Sequence, residues 1–224
     1  MKGNSKPKVL ILGASGGCGS WVVRLAVERG YHVTALLREN TKIVTTSFAT
    51  IKYGDVLSPD TLDEALSDQE IVISCLGLRR KNPRNPWSAL LSPPNLTSRV
   101  IENLIPLMNK HNVCRLMVIS AAGVAESFNQ LSWPIKRLVT SGKIGLAYKD
   151  LEKMESMLKN SDLDWMAVRP VTLTDGTPIG HVGVVNNYNL FSQIRRSDVA
   201  TWMLDTLEKK NEFKLRHPLI GTIK

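Results

Sequence analysis

The residues best suited to chemistry lie near the start of the chain: Gly13, Ala14, Ser15, Gly16, Gly17, Cys18 and Gly19. Glycine recurs there at every third position, 13, 16 and 19. The apolar run 8–12 (KVLIL) precedes the loop, and Trp21, Val22, Leu25 and Ala26 follow it at helical spacing. Between a strand and a helix each glycine has a physical task. The first lets the chain turn sharply, the second lets backbone N–H groups approach a pyrophosphate, and the third lets the helix pack closely on the sheet. The helix N-terminus adds partial positive charge facing the phosphates. Such a loop suits a dinucleotide.

Which dinucleotide is decided by the end of the second strand. An acid there holds the ribose hydroxyls of NAD, whereas a cation accommodates the extra phosphate of NADP. Residues 32–37 (HVTALL) form that strand, Arg38 ends it, and no acid stands between 32 and 38. Glu39 comes one residue too late. The expected cofactor is NADP(H), with Arg38 on the phosphate and Lys42 and the basic stretch 79–84 assisting.

These residues need a scaffold, and the chain supplies an alternation of strands and helices. Strands are expected over 8–12, 32–37, 49–53, 70–75, 115–120 and 164–168, and helices over 17–29, 58–66, 94–111 and 144–159. Gly30 closes the first helix and Pro106 interrupts the third. Residues 76–92 read as a long polar loop, and 121–142 as irregular with a short helix near 135–139. Beyond Pro170 the pattern changes: a strand over 181–185, a helix over 197–208 with Asp198 in its first turn, and a last strand over 214–220. The expected fold is α/β, a Rossmann-type doubly wound, mostly parallel sheet with a small C-terminal substrate-side region. One domain, residues 1–224, is expected.

Composition excludes several classes. Hydrophobic residues make up 43% and charged residues 22%, as in an ordinary globular domain. No apolar run approaches the roughly 20 residues of a membrane span. The three cysteines, Cys18, Cys75 and Cys114, form no CxxC pair, which fits a reducing compartment. The four histidines are scattered, so no metal is expected. The charge of +9 serves solubility or attracts an anionic ligand. No basic helix with interleaved aromatics points to nucleic acid. These readings give a cytoplasmic protein with a small-molecule substrate, anionic or aromatic, no membrane or nucleic-acid partner, and a monomer in preference to a dimer.

Taken in order, a set of motifs resembles the atypical branch of the short-chain dehydrogenase/reductase superfamily, the NAD(P)H-binding group that includes flavin/biliverdin-IXβ reductase and NmrA-like proteins. They are GASGGCG at 13–19, Arg38, Gly54 with Asp55 and Val56, SCLG at 74–77, VISAAG at 118–123, SDLDWMAVRP at 161–170 and RRSDVA at 195–200. The resemblance implies that Asp55 and Val56 sit beside the adenine, Asp55 accepting from its amino group. It implies that Cys75, Leu76 and Gly77 run along the cofactor, and that Ser120 lies near the nicotinamide. Pro170, Val171 and Thr172 would contact the carboxamide side.

One departure matters. Many superfamily members carry Tyr-xxx-Lys, the lysine lowering the pKa of an acid/base tyrosine from one helical turn away. Here Tyr148 is followed four residues later by Glu152, and an alignment on Glu155, Arg169 and Pro170 puts Ala147 and Leu151 at the two positions. Neither register holds the pair. In this helix Leu151, Met154 and Leu158 read as core, with the charges outside. The expected activity is an NADPH-dependent reductase passing hydride to a flavin-like, quinone or other conjugated acceptor. Ser120 would donate a hydrogen bond, and Tyr148 or Lys149 a proton. The alternatives are an NmrA-like NADP(H)-sensing regulatory protein and an epimerase/dehydratase-like enzyme using Tyr148 unusually. Cys18, at a helix N-terminus, reads as a buried packing residue rather than a reactive thiol. The loop 76–92, with Arg79, Arg80, Lys81, Arg84 and Trp87, would cap an anionic or aromatic substrate, and residues 172–189 would form the other wall of the pocket.

Overall fold

The computed structural model describes residues 6–39, 41, 48–82, 85, 87–131, 133–141, 143–186, 188–189, 191–209 and 212–223. Lys42 and Arg84 lie outside the described residues.

The first βαβ unit forms as its sequence demands. Val9, Leu10, Ile11 and Leu12 in β1 (Lys8–Leu12) are fully buried, since both faces of a parallel strand are covered. Helix α1 (Gly17–Glu28) leads to β2 (His32–Leu37), which pairs parallel with β1. Next come β3 (Thr50–Tyr53), α2 (Pro59–Leu66) and β4 (Ile71–Ser74). Ser58 caps α2, its hydroxyl accepting from the Thr61 N–H at 3.3 Å, with Pro59 in the first turn. Helix α3 (Leu96–Lys110) contains Pro106, and β5 (Arg115–Ile119), α4 (Trp133–Ser141), α5 (Ile144–Lys159) and β6 (Asp164–Pro170) follow.

The main sheet has eight strands in the order β3-β2-β1-β4-β5-β6-β10-β8, where β8 is Val182–Val184 and β10 is Leu219–Thr222. The first six positions are the doubly wound order 3-2-1-4-5-6, and all five of their pairings are parallel. Only β8 runs antiparallel. Helix α1 packs against α6 (Arg196–Glu208) over one face, and α2, α3 and α5 cover the other. Each face therefore has its own apolar core. One includes Ile11, Val22, Ile73, Met117 and Leu204, the other Leu10, Leu62, Leu104, Leu116 and Met154. A fully buried side chain of this size contributes about 1.5–3 kcal/mol.

The structure departs from expectation in four places. Within the expected loop 76–92, residues 79–81 and 89–91 form a small antiparallel arm. Arg80 bridges Leu90, the Lys81 N–H donates to the Ala89 carbonyl at 2.9 Å, and the Leu91 N–H to the Arg79 carbonyl at 2.7 Å. The segment after β5 is more helical than expected, with a 3-10 turn at Ala125–Gln130 before α4. A separate parallel pair, β7 (Thr172–Thr174) with β9 (Gln193–Arg195), was not anticipated because three residues are too few to show alternation. The last strand starts at Leu219 rather than 214, since Glu212–Lys214 is a 3-10 turn and Pro218 has no N–H to donate.

Candidate functional site

In a doubly wound sheet, ligands sit beyond the carboxyl ends of the strands where the winding reverses. Here that point lies between β1 and β4, and the glycine loop occupies it. Gly13 has φ +75°, and a Cβ there would stand 2.9 Å from the Cys75 carbonyl carbon, so the loop rests on the end of β4. A Cβ on Gly19 would stand 2.1 Å from the Gly13 oxygen. No other residue fits this close approach of helix to strand.

Within the loop the Gly16 N–H donates to the Gly13 carbonyl at 2.9 Å. Gly16 is the N-cap of α1, no side chain caps the helix, and its first turn holds no acid. Ser15, Gly16 and Gly17 are exposed, while Ala14 and Cys18 are buried. An uncapped helix N-terminus of this kind suits an anionic pyrophosphate. Cys18 is a packing residue, and burial pushes its thiol up to about 11. Burial drives the Cys75 thiol well above the usual range as well.

The residues expected at the adenosine end lie beyond β2 and β3. The Gly54 N–H donates to the Leu37 carbonyl at 2.8 Å, placing residues 54–56 beside Arg38. Arg38 is exposed and begins a turn in which the Thr41 N–H returns to its carbonyl at 3.1 Å. Asp55 is exposed, and its Oδ1 accepts from the Leu57 N–H at 2.9 Å, a turn-forming bond that fixes the carboxylate. Val56 is buried. Leu76 is half-buried and Gly77 exposed with open space around its Cα.

At the other end, β5 and β6 bring Ser120, Pro170, Val171 and Thr172 together. The Ser120 N–H donates to the Val168 carbonyl at 2.7 Å, and the Ala122 N–H to the Pro170 carbonyl at 3.1 Å. The Ser120 hydroxyl, buried, donates to Glu155 Oε1 at 2.5 Å. That carboxylate also receives Arg169 Nε at 3.1 Å, and Arg169 Nη1 reaches Glu126 Oε1 at 2.5 Å. The charges of α5 are thus not all outside. Glu155 and Asp150 are buried because each has a specific partner, Glu155 the guanidinium and Asp150 the start of α3. Arg169 holds the Glu126 carboxyl below its usual range.

Tyr148 is half-buried, and its hydroxyl donates to the Ala122 carbonyl at 2.9 Å. Burial, with Tyr188 nearby, pushes its phenol far above the usual value. Lys149 is exposed on the same helix. The Thr172 hydroxyl pairs with the Tyr188 hydroxyl at 3.1 Å. Among the described residues no His, Cys, Asp and Glu side chains gather as a metal-binding group, and no helix is long and apolar enough to cross a membrane. A cavity of about 260 Å³ lined by Lys8, His32, Thr34 and Asp68 lies at the amino ends of the strands, opposite the glycine loop, so it belongs to no part of this site.

Two groups escaped the sequence reading as site residues. Glu126 carries no motif, and Arg196 stands only within the RRSDVA helix start. Both meet their partners across long stretches of chain, Glu126 at Arg169 and Arg196 over Gly17, and no local spacing signals such a meeting.

The sheet order and the exposed glycine loop define a Rossmann-type dinucleotide-binding protein. The model of the NAD(P)H-binding family matches residues 13–210, and the chain belongs to that family. It is 25% identical over 217 residues to an uncharacterized chloroplastic protein of Arabidopsis thaliana, covering 93% of this chain and 75% of that protein. Among solved structures it resembles ChuY, an anaerobillin reductase from Escherichia coli O157:H7, with TM-score 0.76, 21% identity, and coverage of 95% of this chain and 96% of that one. A short-chain dehydrogenase/reductase of Veillonella parvula in complex with NADP gives TM-score 0.76 at 15% identity, over 96% and 94% of the two chains.

Proposed function

We propose that the protein is an NADPH-dependent reductase that transfers hydride to a conjugated small-molecule acceptor, a flavin, quinone or linear tetrapyrrole. The observation that carries this is the direction of the hydroxyls nearest the expected nicotinamide. Ser120 donates to Glu155 and Tyr148 donates to Ala122, both inward. With no lysine one turn after Tyr148 and its phenol pushed upward, proton removal from an alcohol is poorly served. Hydride transfer to an electron-poor conjugated ring needs little acid catalysis, and positioning carries most of the rate.

The residues divide the work. The N–H groups of Ser15 and of residues 17–19 hold the pyrophosphate, Arg38 the ribose phosphate, and Asp55 and Val56 the adenine. Cys75, Leu76 and Gly77 border the cofactor's middle. Pro170, Val171 and Thr172 wall the nicotinamide end, with Ser120 buried beneath it. Bound NADPH supplies the hydride. The acceptor takes up that hydride with its two electrons and takes its proton from water or from the exposed Lys149 ammonium. The reductase name of the ChuY neighbour agrees with this class of chemistry.

The test is titration with NADPH and NADH, followed by intrinsic fluorescence, then NADPH oxidation with flavins, quinones and linear tetrapyrroles. Tighter NADPH binding is expected. Arg38→Ala removes a charge-assisted contact of about 1.5–3 kcal/mol, so the preference for NADPH falls roughly ten- to hundredfold. Tight binding with no oxidation of any acceptor would favour a cofactor-sensing protein instead.

A further inference from the structure

Gly17 is the first residue of α1 and lies exposed where the pyrophosphate is expected. A Cβ at Gly17 would stand 2.5 Å from Cδ and 2.8 Å from Nε of Arg196, with Cζ at 3.7 Å. The Arg196 side chain therefore lies directly across the glycine. Arg196 opens α6, and its Nη1 reaches Asp175 Oδ1 at 2.6 Å. Arg196 is 28% exposed and Asp175 90% exposed. The charges of both residues reach the Cys18 thiol, the next side chain in the loop.

We infer that Arg196 is a pyrophosphate clamp and that Asp175 is its built-in competitor. The guanidinium crosses a helix N-terminus that has no side-chain cap and no acid in its first turn. An anion seated there is met from below by backbone N–H groups and from above by a planar fork of donors. The pair Arg196 makes now is weak, because an exposed ion pair contributes only about 0–1 kcal/mol. A doubly charged pyrophosphate offers two charge-assisted contacts and displaces the carboxylate.

Asp175 can yield without unfolding its surroundings. Arg195 Nη1 donates to the Thr177 carbonyl at 2.6 Å, and the Ser197 hydroxyl to the Gly176 carbonyl at 2.8 Å. Asp198 Oδ1 accepts from the N–H groups of Ile179 and Gly180 at 2.9 and 3.1 Å. Three neighbours of Arg196 thus hold residues 176–180 whether or not the ion pair forms.

The clamp rests on dinucleotide binding but not on the preference for NADPH, and the two separate experimentally. Pyrophosphate is common to both cofactors, so Arg196→Met, which keeps the apolar stem, weakens NADH and NADPH by the same factor, about tenfold. Arg38→Ala weakens NADPH alone. Asp175→Asn removes the competitor and tightens both cofactors about two- to fivefold. Dissociation constants come from fluorescence titration, with inorganic pyrophosphate as a competing probe and thermal melts to verify folding. Arg196→Lys serves as a second variant that retains charge. If Arg196 were only a structural brace, Arg196→Met and Asp175→Asn would break the same pair and shift affinity in the same direction. That result, or unchanged affinity in Arg196→Met, overturns the clamp. Failure of the wild-type chain to bind either dinucleotide overturns it together with the reading beneath it.

Discussion

His217 illustrates how a single side chain ties the buried charge cluster to solution pH. Its Nδ1 is buried without a hydrogen-bond partner and stands 3.4 Å from Glu155 Oε2, and its ring meets the Trp165 ring edge-on at 5.1 Å. Burial lowers its pKa first. Glu155 and Glu126 pull it up, Arg169 and Lys159 push it down, and burial prevails. The folded state therefore prefers the neutral ring, while the unfolded chain takes up a proton below about pH 6.5. Stability is expected to fall as pH drops through that value, and His217→Gln should flatten this part of the profile. Thermal melts between about pH 7 and pH 5 measure it, a window above the ordinary carboxylate range near pH 4 where Glu126 contributes. A wild-type profile already flat there would refute the expectation. At this scale the sequence was legible where chemistry is local. The glycine loop declares itself within a few neighbours. The Ser120–Glu155–Arg169–Glu126 chain does not, because its members come from four segments that only the fold brings together.

Among the elements, α3 shows a helix start completed from elsewhere in the chain. Its N-cap Asn95 makes no side-chain cap. Asp150, buried in α5, supplies it instead: Oδ2 accepts from the Thr97 N–H at 2.8 Å and its hydroxyl at 2.6 Å, and Oδ1 from the Ser98 N–H at 3.0 Å. The carboxylate satisfies two orphan donors and faces the positive end of the helix dipole. Asp150→Ala should cost about 2–3 kcal/mol, with Asp150→Asn losing less because an amide oxygen still accepts. Urea unfolding reads both, and a loss under about 0.5 kcal/mol for Asp150→Ala would mean that water replaces the cap. Sequence periodicity found α5 at 144–159, and the Gly30 signal found the end of α1, where the Gly30 and Tyr31 N–H groups return to Val27 and Ala26. It misplaced the polarity of α5, because a helical wheel assigns Asp150 and Glu155 to solvent and cannot register a partner from another element.

For the whole molecule, the question is what the last strand contributes to a site built almost entirely from earlier residues. Residues 216–220 run beside β6 and accept two of its N–H groups and that of Val171 just beyond it. Ala167 donates to the Arg216 carbonyl at 2.8 Å, Arg169 to Pro218 at 2.9 Å, and Val171 to Ile220 at 3.0 Å. The same segment joins β8 to the sheet and buries Ile220 completely. Ala167, Arg169 and Val171 are themselves buried, so water cannot readily replace the lost carbonyls. Each buried donor left unpaired costs about 1–3 kcal/mol, and three together approach the 5–15 kcal/mol that stabilises a typical domain. A chain ending at residue 215 is therefore expected to lose cooperative unfolding, whereas one ending at residue 222 keeps it, as followed by circular dichroism on heating. Because β6 carries Pro170 and leads to Val171 and Thr172, the shorter chain should also fail to hold the wall proposed for the nicotinamide. A shorter chain that still melts cooperatively and binds the dinucleotide with wild-type affinity would show that the first six strands of the order are a self-sufficient unit. If it does not, the C-terminal strand is part of what shapes the site from behind.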